Sequence, residues 1–254
     1  MCLIAFAWRV HADFPLVVVA NRDEYLDRPA MPAHWWQDSP DLLAGRDLEA
    51  GGTWMGVARN GRFAALTNYR DPSRRHTNAP SRGALVRQAL EQDEGTLATL
   101  QAVAAESVRY AGFNLLVSDG ETMGIHESTS GSVRLLEPGV YGLSNHLLDT
   151  PWPKLSRARR LLAECLPSLP AEEDVLALLC DRTVAADDDL PRTGVSLEWE
   201  RLLSSTFIHA PGYGTRCSSL VTIDRQGRAQ FKEWTWDETG ALRSQVRHDF
   251  RLAR

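Results

Sequence analysis

Lysine is nearly absent from this 254-residue chain, because only Lys154 and Lys232 among its 28 basic residues are lysines. The 33 acidic residues leave a formal net charge of −5, so the basic surplus typical of nucleic-acid-binding proteins is missing. No apolar run approaches the ~20 residues that cross a bilayer. The apolar N-terminal segment is too short for a secretory signal. These absences predict a cytoplasmic protein with no nucleic-acid partner and no membrane span.

The sequence also lacks the short motifs that mark several common enzyme classes. Its four cysteines, at positions 2, 165, 180 and 217, show no C-x-x-C spacing, and its seven histidines show no H-E-x-x-H spacing. Zinc and thioredoxin-type sites are therefore not predicted, and no metal site is expected. The absence of G-x-G-x-x-G, Walker and G-x-S-x-G sequences argues against nucleotide-binding folds and the α/β-hydrolase nucleophile elbow.

Apolar periodicity divides the chain into alternating blocks of strands and helices. The Asn60-Gly61 pair between two apolar runs predicts a hairpin, and prolines at positions 29, 32 and 40 predict a loop over 28–40. The break at 93–95 predicts two helices after position 83. The predicted strands are 2–10, 14–20, 54–59, 62–67, 113–118, 122–126, 133–136, 140–144, 206–209, 217–224, 229–236 and 241–250; further helices are predicted at 154–165 and 171–181, and loops at 70–82 and 182–195.

The order of these blocks predicts the architecture. Hairpins outnumber β-α-β alternations, so the sheets are expected to be mostly antiparallel. Two sheets with a helical pair on each outer face would bury one face of every element. We therefore predict an α+β fold of one domain over residues 1–254, a four-layer αββα sandwich.

Cys2 is the first candidate for chemistry. An initiator methionine is usually removed before a small residue, and removal would leave Cys2 with a free α-amino group. With an ordinary pKa of about 7.7–8.0, that amine is partly neutral near pH 7.5 and can accept the thiol proton. The alternative is that Cys2 is an apolar strand residue beside Leu3 and Ile4.

Polar residues close three of the predicted strands. Asn21, Arg22, Asp23 and Glu24 follow one strand, and strand alternation would direct Asn21 and Asp23 to one face and the other two to the opposite face. An Arg–carboxylate cap on the strand end is the alternative.

Further polar residues lie at Asn68, Asn145 and Arg216. An asparagine at a strand end can donate to a developing oxyanion or form a turn. Arg216 can bind a carboxylate of a substrate or of Asp23, or form a structural ion pair. Cys217 follows Arg216 and is a candidate thiol neighbour of Cys2.

Several blocks, in chain order, resemble one known family. They begin with Met1-Cys2-Leu3-Ile4 and the Asn21-Arg22-Asp23-Glu24 tetrad; the others are Gly51-Gly52-Thr53-Trp54-Met55-Gly56, Thr67-Asn68-Tyr69-Arg70, Ser81-Arg82-Gly83, Tyr141-Gly142-Leu143-Ser144-Asn145 and Gly214-Thr215-Arg216. Together they resemble the NRDE family, also called the Transport and Golgi organisation protein 2 family. The resemblance implies an N-terminal-nucleophile (Ntn) hydrolase-like αββα fold, and extends more distantly to cholylglycine hydrolases and penicillin V acylases.

The resemblance also implies roles for individual residues. By motif, Cys2 is similar to the nucleophile and Asp23 to the group that orients its amine. Asn68 or Asn145 would donate to the oxyanion, and Arg22 and Arg216 would be flanking cations. The register of the tetrad leaves open whether Asn21 and Glu24 face the site instead; these two, with Trp54 and Tyr69, are the expected substrate-binding residues.

Two functions remain open at this point. The first is an amidohydrolase that uses Cys2 on a linear amide of a small or acyl-containing molecule, with no required cofactor. The second is a non-catalytic carrier of haem or an acyl lipid, since family members are linked to haem trafficking and to lipid or acyl-CoA homeostasis. Trp35, Trp36, Trp54 and Tyr69 would supply its apolar wall.

Overall fold

Fourteen strands and five α-helices make up the described part of the chain. The computed structural model describes residues 2–73, 79–169 and 172–253. Met1 and positions 74–78 of the predicted 70–82 loop lie outside these residues. The strands are β1 Cys2–Trp8, β2 Leu16–Tyr25, β3 Ala30–Trp36, β4 Ser39–Asp47, β5 Met55–Ala58, β6 Phe63–Asn68, β7 Phe113–Ser118, β8 Met123–Glu127, β9 Ser132–Leu135, β10 Gly139–Leu143, β11 His209–Ala210, β12 Tyr213–Ile223, β13 Arg228–Trp236 and β14 Leu242–Arg251.

The strands form two antiparallel sheets. One has the order β10-β1-β2-β12-β13-β14, with β11 paired to β12, and the other runs from β3 to β9 in chain order. The helices are α1 Gly83–Glu91, α2 Thr96–Glu106, α3 Pro153–Cys165, α4 Glu172–Leu179 and α5 Leu197–Leu202. Helices α1 and α2 pack on the second sheet, whereas α3 and α4 pack on the first.

Strand alternation distributes the apolar residues among the layers. In β1, Ile4 and Phe6 face the core between the sheets, whereas Leu3 and Ala5 face α3 and α4. A third core, which includes Leu85 and Val86, lies between α1, α2 and the second sheet. The predicted four-layer αββα sandwich is therefore confirmed.

The predicted loop over 28–40 is wrong, because that segment contains β3 and the beginning of β4. Strand β3 is the edge strand of its sheet, where a missing N–H is tolerated. Pro32 lies in a register shift between Met31 and His34, so its ring interrupts no regular pair.

Helix α5 has no counterpart among the predicted elements. Its first turn is capped by Ser196, whose Oγ accepts a hydrogen bond from the Trp199 amide at 3.3 Å. Of the strand predicted at 206–209, only His209 lies in a strand, the two-residue β11. The hairpin at Asn60-Gly61 forms between β5 and β6 as predicted.

Candidate active site

A polar cavity of about 380 Å³ lies at the end of the sandwich where β1 begins. Its lining includes the thiol-bearing Cys2 and six charged side chains: Arg22, Asp23, Glu24, Arg28, Asp47 and Arg82. Two further sequence-predicted residues, Trp54 and Asn68, also line it. The cavity therefore collects six of the ten predicted site residues, and leaves out Asn21, Tyr69, Asn145 and Arg216.

Strand pairing determines which neighbours Cys2 has. Cys2 of β1 is directly opposite Arg22 of β2, so their side chains emerge on the same face of the sheet. Burial raises the pKa of the Cys2 thiol and Asp23 adds to the rise, while the Arg22 guanidinium lowers it. The thiol is therefore protonated near neutral pH and needs a proton acceptor to become nucleophilic.

A compact charge network holds Arg22 beside the thiol. Its Nη2 lies 3.2 Å from Asp47 and 3.8 Å from Glu24. Its guanidinium also stacks 4.5 Å from the ring of Trp54. Asp47 binds Arg28 as well, with Nε 2.6 Å from its carboxylate. Neither Arg28 nor Asp47 was predicted as a site residue from the sequence. Arg28 lies in the segment predicted to be a loop, and Asp47 lies at the end of β4, which was not predicted.

Asn21 points to the face of β2 opposite Arg22, where it hydrogen-bonds to neighbouring segments of the sandwich. Its Nδ2 donates to the carbonyls of Leu179 and Thr206 at 2.8 and 2.9 Å, and its Oδ1 accepts from Ser218 at 2.6 Å. These bonds join the sheet to the end of α4 and to the segment before β11. Asn21 therefore does not face the cavity.

Asp23 and Lys154 form a buried charged region that the sequence did not reveal. Asp23 accepts a hydrogen bond from Thr215 at 2.7 Å; burial raises the pKa of this carboxyl, while Lys154 lowers it. Lys154, in the first turn of α3, is only 3% exposed, and its Nζ has no hydrogen-bond partner within the described ranges. Burial lowers the pKa of Lys154 from 10.5 to about 8, opposed by the attraction of Asp23. The sequence signal was a lysine after proline at a helix start, where the positive end of the helix dipole disfavours it.

The two candidate asparagines occupy different positions. Asn68, at the end of β6, lines the cavity, and its side-chain amide makes no hydrogen bond within the part of the chain that the structure describes. Asn145 is fully buried, and its Nδ2 donates to the Asn68 carbonyl at 2.9 Å. Beside it, Ser144 donates to the Cys2 carbonyl at 3.1 Å. Asn145 and Ser144 therefore join the strands that present Asn68 and Cys2.

Gly52 and Gly83, from two of the sequence motifs, position Arg82 at the cavity. The backbone of Gly52 packs against Gly83, such that a Cβ added to Gly52 would lie 2.5 Å from the Gly83 carbonyl carbon. Thr53 N donates to the Gly83 carbonyl at 3.2 Å. The beginning of α1 is thereby fixed against the β4–β5 connection, and Arg82, the residue before α1, reaches the cavity lining.

Arg216 does not line the cavity but hydrogen-bonds to the backbone at the end of β2. It is the extra residue of a bulge in β12, between Thr215, which pairs with Asp23, and Cys217, which pairs with Arg22. Its Nη1 donates to the carbonyls of Tyr25, Leu26 and Arg28. Arg216 therefore stabilises the backbone after β2.

Tyr69 lines a neighbouring cavity of about 550 Å³ that shares Asn68, Arg82 and Ala111 with the first. Its ring packs 5.0 Å from His146.

Cys217 is not within disulfide distance of Cys2. Both residues pair with Arg22, from the strands on either side of β2, so two strand spacings of about 4.8 Å separate them. A disulfide requires Cα atoms within about 7 Å. Cys217 is buried, and burial together with the negative charge of Glu233 raises the pKa of its thiol; burial likewise raises the pKa of Glu233 to about 7.

Comparison with known proteins identifies the family. A model of the family described as Transport and Golgi organisation 2 matches residues 1–238. The Transport and Golgi organization protein 2 homolog of Bos taurus is 35% identical over 99% of both chains, and that of Homo sapiens is 34% identical over 92% of both. The chain belongs to the Transport and Golgi organisation 2 family.

This family member has the fold of an Ntn hydrolase. A solved structure of a conjugated bile acid hydrolase from Clostridium perfringens, in its C2A mutant, matches with a TM-score of 0.52 over 99% of this chain and 92% of that chain. The sequence identity is 8%, so the likeness concerns the fold. Among the described residues, no helix is long and apolar enough to span a membrane, and no cluster of three or more metal-ligating side chains occurs.

Proposed function

We propose that this protein is an Ntn-type amidohydrolase that cleaves a linear amide of a small or acyl-containing molecule. The observation that carries the proposal is that Cys2 and Asn68 line the same polar cavity, and that the Asn68 side-chain amide has no hydrogen-bond partner among the described residues. The fold likeness to a bile acid hydrolase, solved as a mutant of its own Cys2, supports the same interpretation.

The first step needs the free α-amine that Met1 removal would create at Cys2. The neutral amine accepts the thiol proton as the sulfur attacks the amide carbon, which suits a thiol whose pKa is raised. The amide oxygen becomes an oxyanion, to which Asn68 donates. The amine then returns the proton to the leaving nitrogen, the C–N bond breaks, and a thioester remains on Cys2.

Water completes the cycle. The α-amine accepts a proton from water, whose oxygen attacks the thioester carbon. A second oxyanion forms in the same position, the C–S bond breaks, and the acid product leaves as the thiol regains its proton. In this scheme Asp23 orients the amine, in keeping with its burial and its influence on the Cys2 thiol.

The cavity lining favours a polar ligand over haem or an acyl lipid. Three arginines and three carboxyl residues line it, whereas Trp54 is its one aromatic residue among those described. Trp36 is buried beside β4, and Trp35 packs on Phe250, so neither lines the cavity. Haem and lipid pockets are mostly apolar. A haem titration that produces a Soret shift dependent on Cys2 would favour the carrier function.

An amide panel tests the proposal. The wild type and Cys2→Ala would be assayed for release of free amine from short amides that differ in charge and acyl length. Cys180→Ala is the matched control, because Cys180 is a half-buried cysteine outside the cavity. Turnover that Cys2→Ala abolishes and Cys180→Ala retains would support the proposal; turnover retained in a folded Cys2→Ala variant would refute it.

A further inference from the structure

The three arginines of the cavity differ in how their charges are balanced. Arg22 pairs with Asp47 and Glu24, and Arg28 pairs with Asp47 and Glu49, at nitrogen–oxygen distances of 2.6 to 3.8 Å. These two guanidinium groups are therefore neutralised by the protein itself.

Arg82 has no such partner within the described residues. Among the described residues, its side chain hydrogen-bonds from Nη1 to the carbonyl of Gly112 at 3.1 Å. Burial lowers the pKa of this guanidinium, and Cys2 and Glu24 oppose that change, so both lie close enough to interact with its charge. A partly buried cation without a carboxylate is unfavourable unless a ligand supplies the opposite charge.

We propose that Arg82 binds a carboxylate of the substrate, so that the cavity takes small amides that also carry one carboxylate group. The presence of an amide bond in the ligand rests on the proposed function. The binding of a carboxylate at Arg82 is independent of it, because it does not require Cys2 to react. A guanidinium presents paired N–H donors that match the two oxygens of a carboxylate.

The charges around Arg82 favour a single negative charge on the ligand. Asp23, Glu24 and Asp47 line the same cavity, and their acidic side chains oppose a dianion such as phosphate. Arg82 carries a single positive charge, which one carboxylate balances. The packing of Gly52 on Gly83 fixes the backbone beside Arg82, and the bond from Nη1 to the Gly112 carbonyl holds its side chain. Arg82 therefore lines the same cavity as Cys2 before a ligand arrives.

Isosteric probes test this assignment. Binding of N-acetylglycine and succinamate would be compared with binding of their neutral analogues, N-acetylglycinamide and succinamide, by calorimetry. All measurements use a Cys2→Ala background, which prevents turnover. At least one acid is expected to bind about ten- to a hundredfold more tightly than its amide, because hydrogen bonds between charged groups increase affinity by about that factor.

The variants separate binding from structure. Arg82→Met is expected to abolish the preference for the acid, Arg82→Lys to restore part of it, and Arg160→Met, which removes an exposed arginine paired with Glu164, to leave it unchanged. Equal affinities for acids and amides, no binding of either acid, or a preference that survives Arg82→Met would overturn the proposal. Phosphate binding that requires Arg82, without carboxylate binding, would also overturn it. Amidase activity without any acid preference would leave the proposed function intact.

Discussion

Asn145 donates its side-chain amide to the backbone carbonyl of Asn68 at 2.9 Å, and it is fully buried outside the cavity lining, where it does not meet a reacting oxygen. Asn68 lines the cavity, and its own side-chain amide makes no hydrogen bond within the described residues. The two asparagines, which the sequence could not distinguish, therefore have different expected roles: Asn68 contacts the reacting oxygen, and Asn145 positions Asn68.

Replacement of Asn68 by Ala is expected to lower kcat of the amidase about 10²–10³-fold, with a small effect on KM, because an oxyanion donor acts mainly in the transition state. Steady-state kinetics on an amide found in the panel would measure this. Asn145→Ala should instead lower thermal stability together with activity, since its buried carbonyl partner loses a hydrogen bond. Equal kinetic and stability losses in both variants would contradict the division of roles.

Lys154 predicts a pH dependence of stability. Its pKa is about 8 in the folded protein and 10.5 as its ordinary value, so between these pH values the unfolded chain binds more protons. The free energy of unfolding of the wild type should therefore rise with pH across this window, relative to Lys154→Met. The free energy of unfolding should rise by roughly 3 kcal/mol over this window, since each pKa unit corresponds to about 1.4 kcal/mol.

Urea unfolding of both proteins between pH 7.5 and roughly 10.5 would measure this difference. Lys232→Met is the control, because it removes the other lysine of the chain, which forms an ion pair with Glu172. A gap between wild type and Lys154→Met that stays constant over the window would mean that the Lys154 ammonium is not disfavoured in the folded state.

Gly52→Ala is expected to lower stability and displace Arg82. Its Cβ would lie 2.5 Å from the Gly83 carbonyl carbon, which is backbone and cannot move cheaply. Gly95→Ala is the control: Gly95 precedes α2 with a negative φ, and its Cβ would meet only Asp119, at 3.5 Å. Thermal unfolding should show a loss of about 1–3 kcal/mol for Gly52→Ala and little change for Gly95→Ala. A Gly52→Ala protein as stable as the wild type would contradict the close backbone packing.

The sandwich was predictable because its elements have regular apolar patterns, and Cys2, Arg22 and Asn68 were found because polar residues stand at strand ends. Strand alternation predicted that Asn21 lies opposite Arg22, but it did not show which face of β2 meets the cavity, since α4 and the segment before β11 cover the Asn21 side. Lys154 and Arg82 were assigned no role for a similar reason. Within the described residues neither side chain has a salt-bridge partner, and this depends on packing between segments that are distant in the sequence.

Mass spectrometry of the purified protein tests the central claim, that Cys2 is an N-terminal nucleophile. The intact mass and the N-terminal peptide would be determined, and the alkylation rates of Cys2 and the other three cysteines by iodoacetamide compared near neutral pH. We predict a chain that begins at Cys2 and a Cys2 thiol that reacts well ahead of Cys165, Cys180 and Cys217. Retention of Met1, or a Cys2 as slow as buried Cys217, would contradict the account.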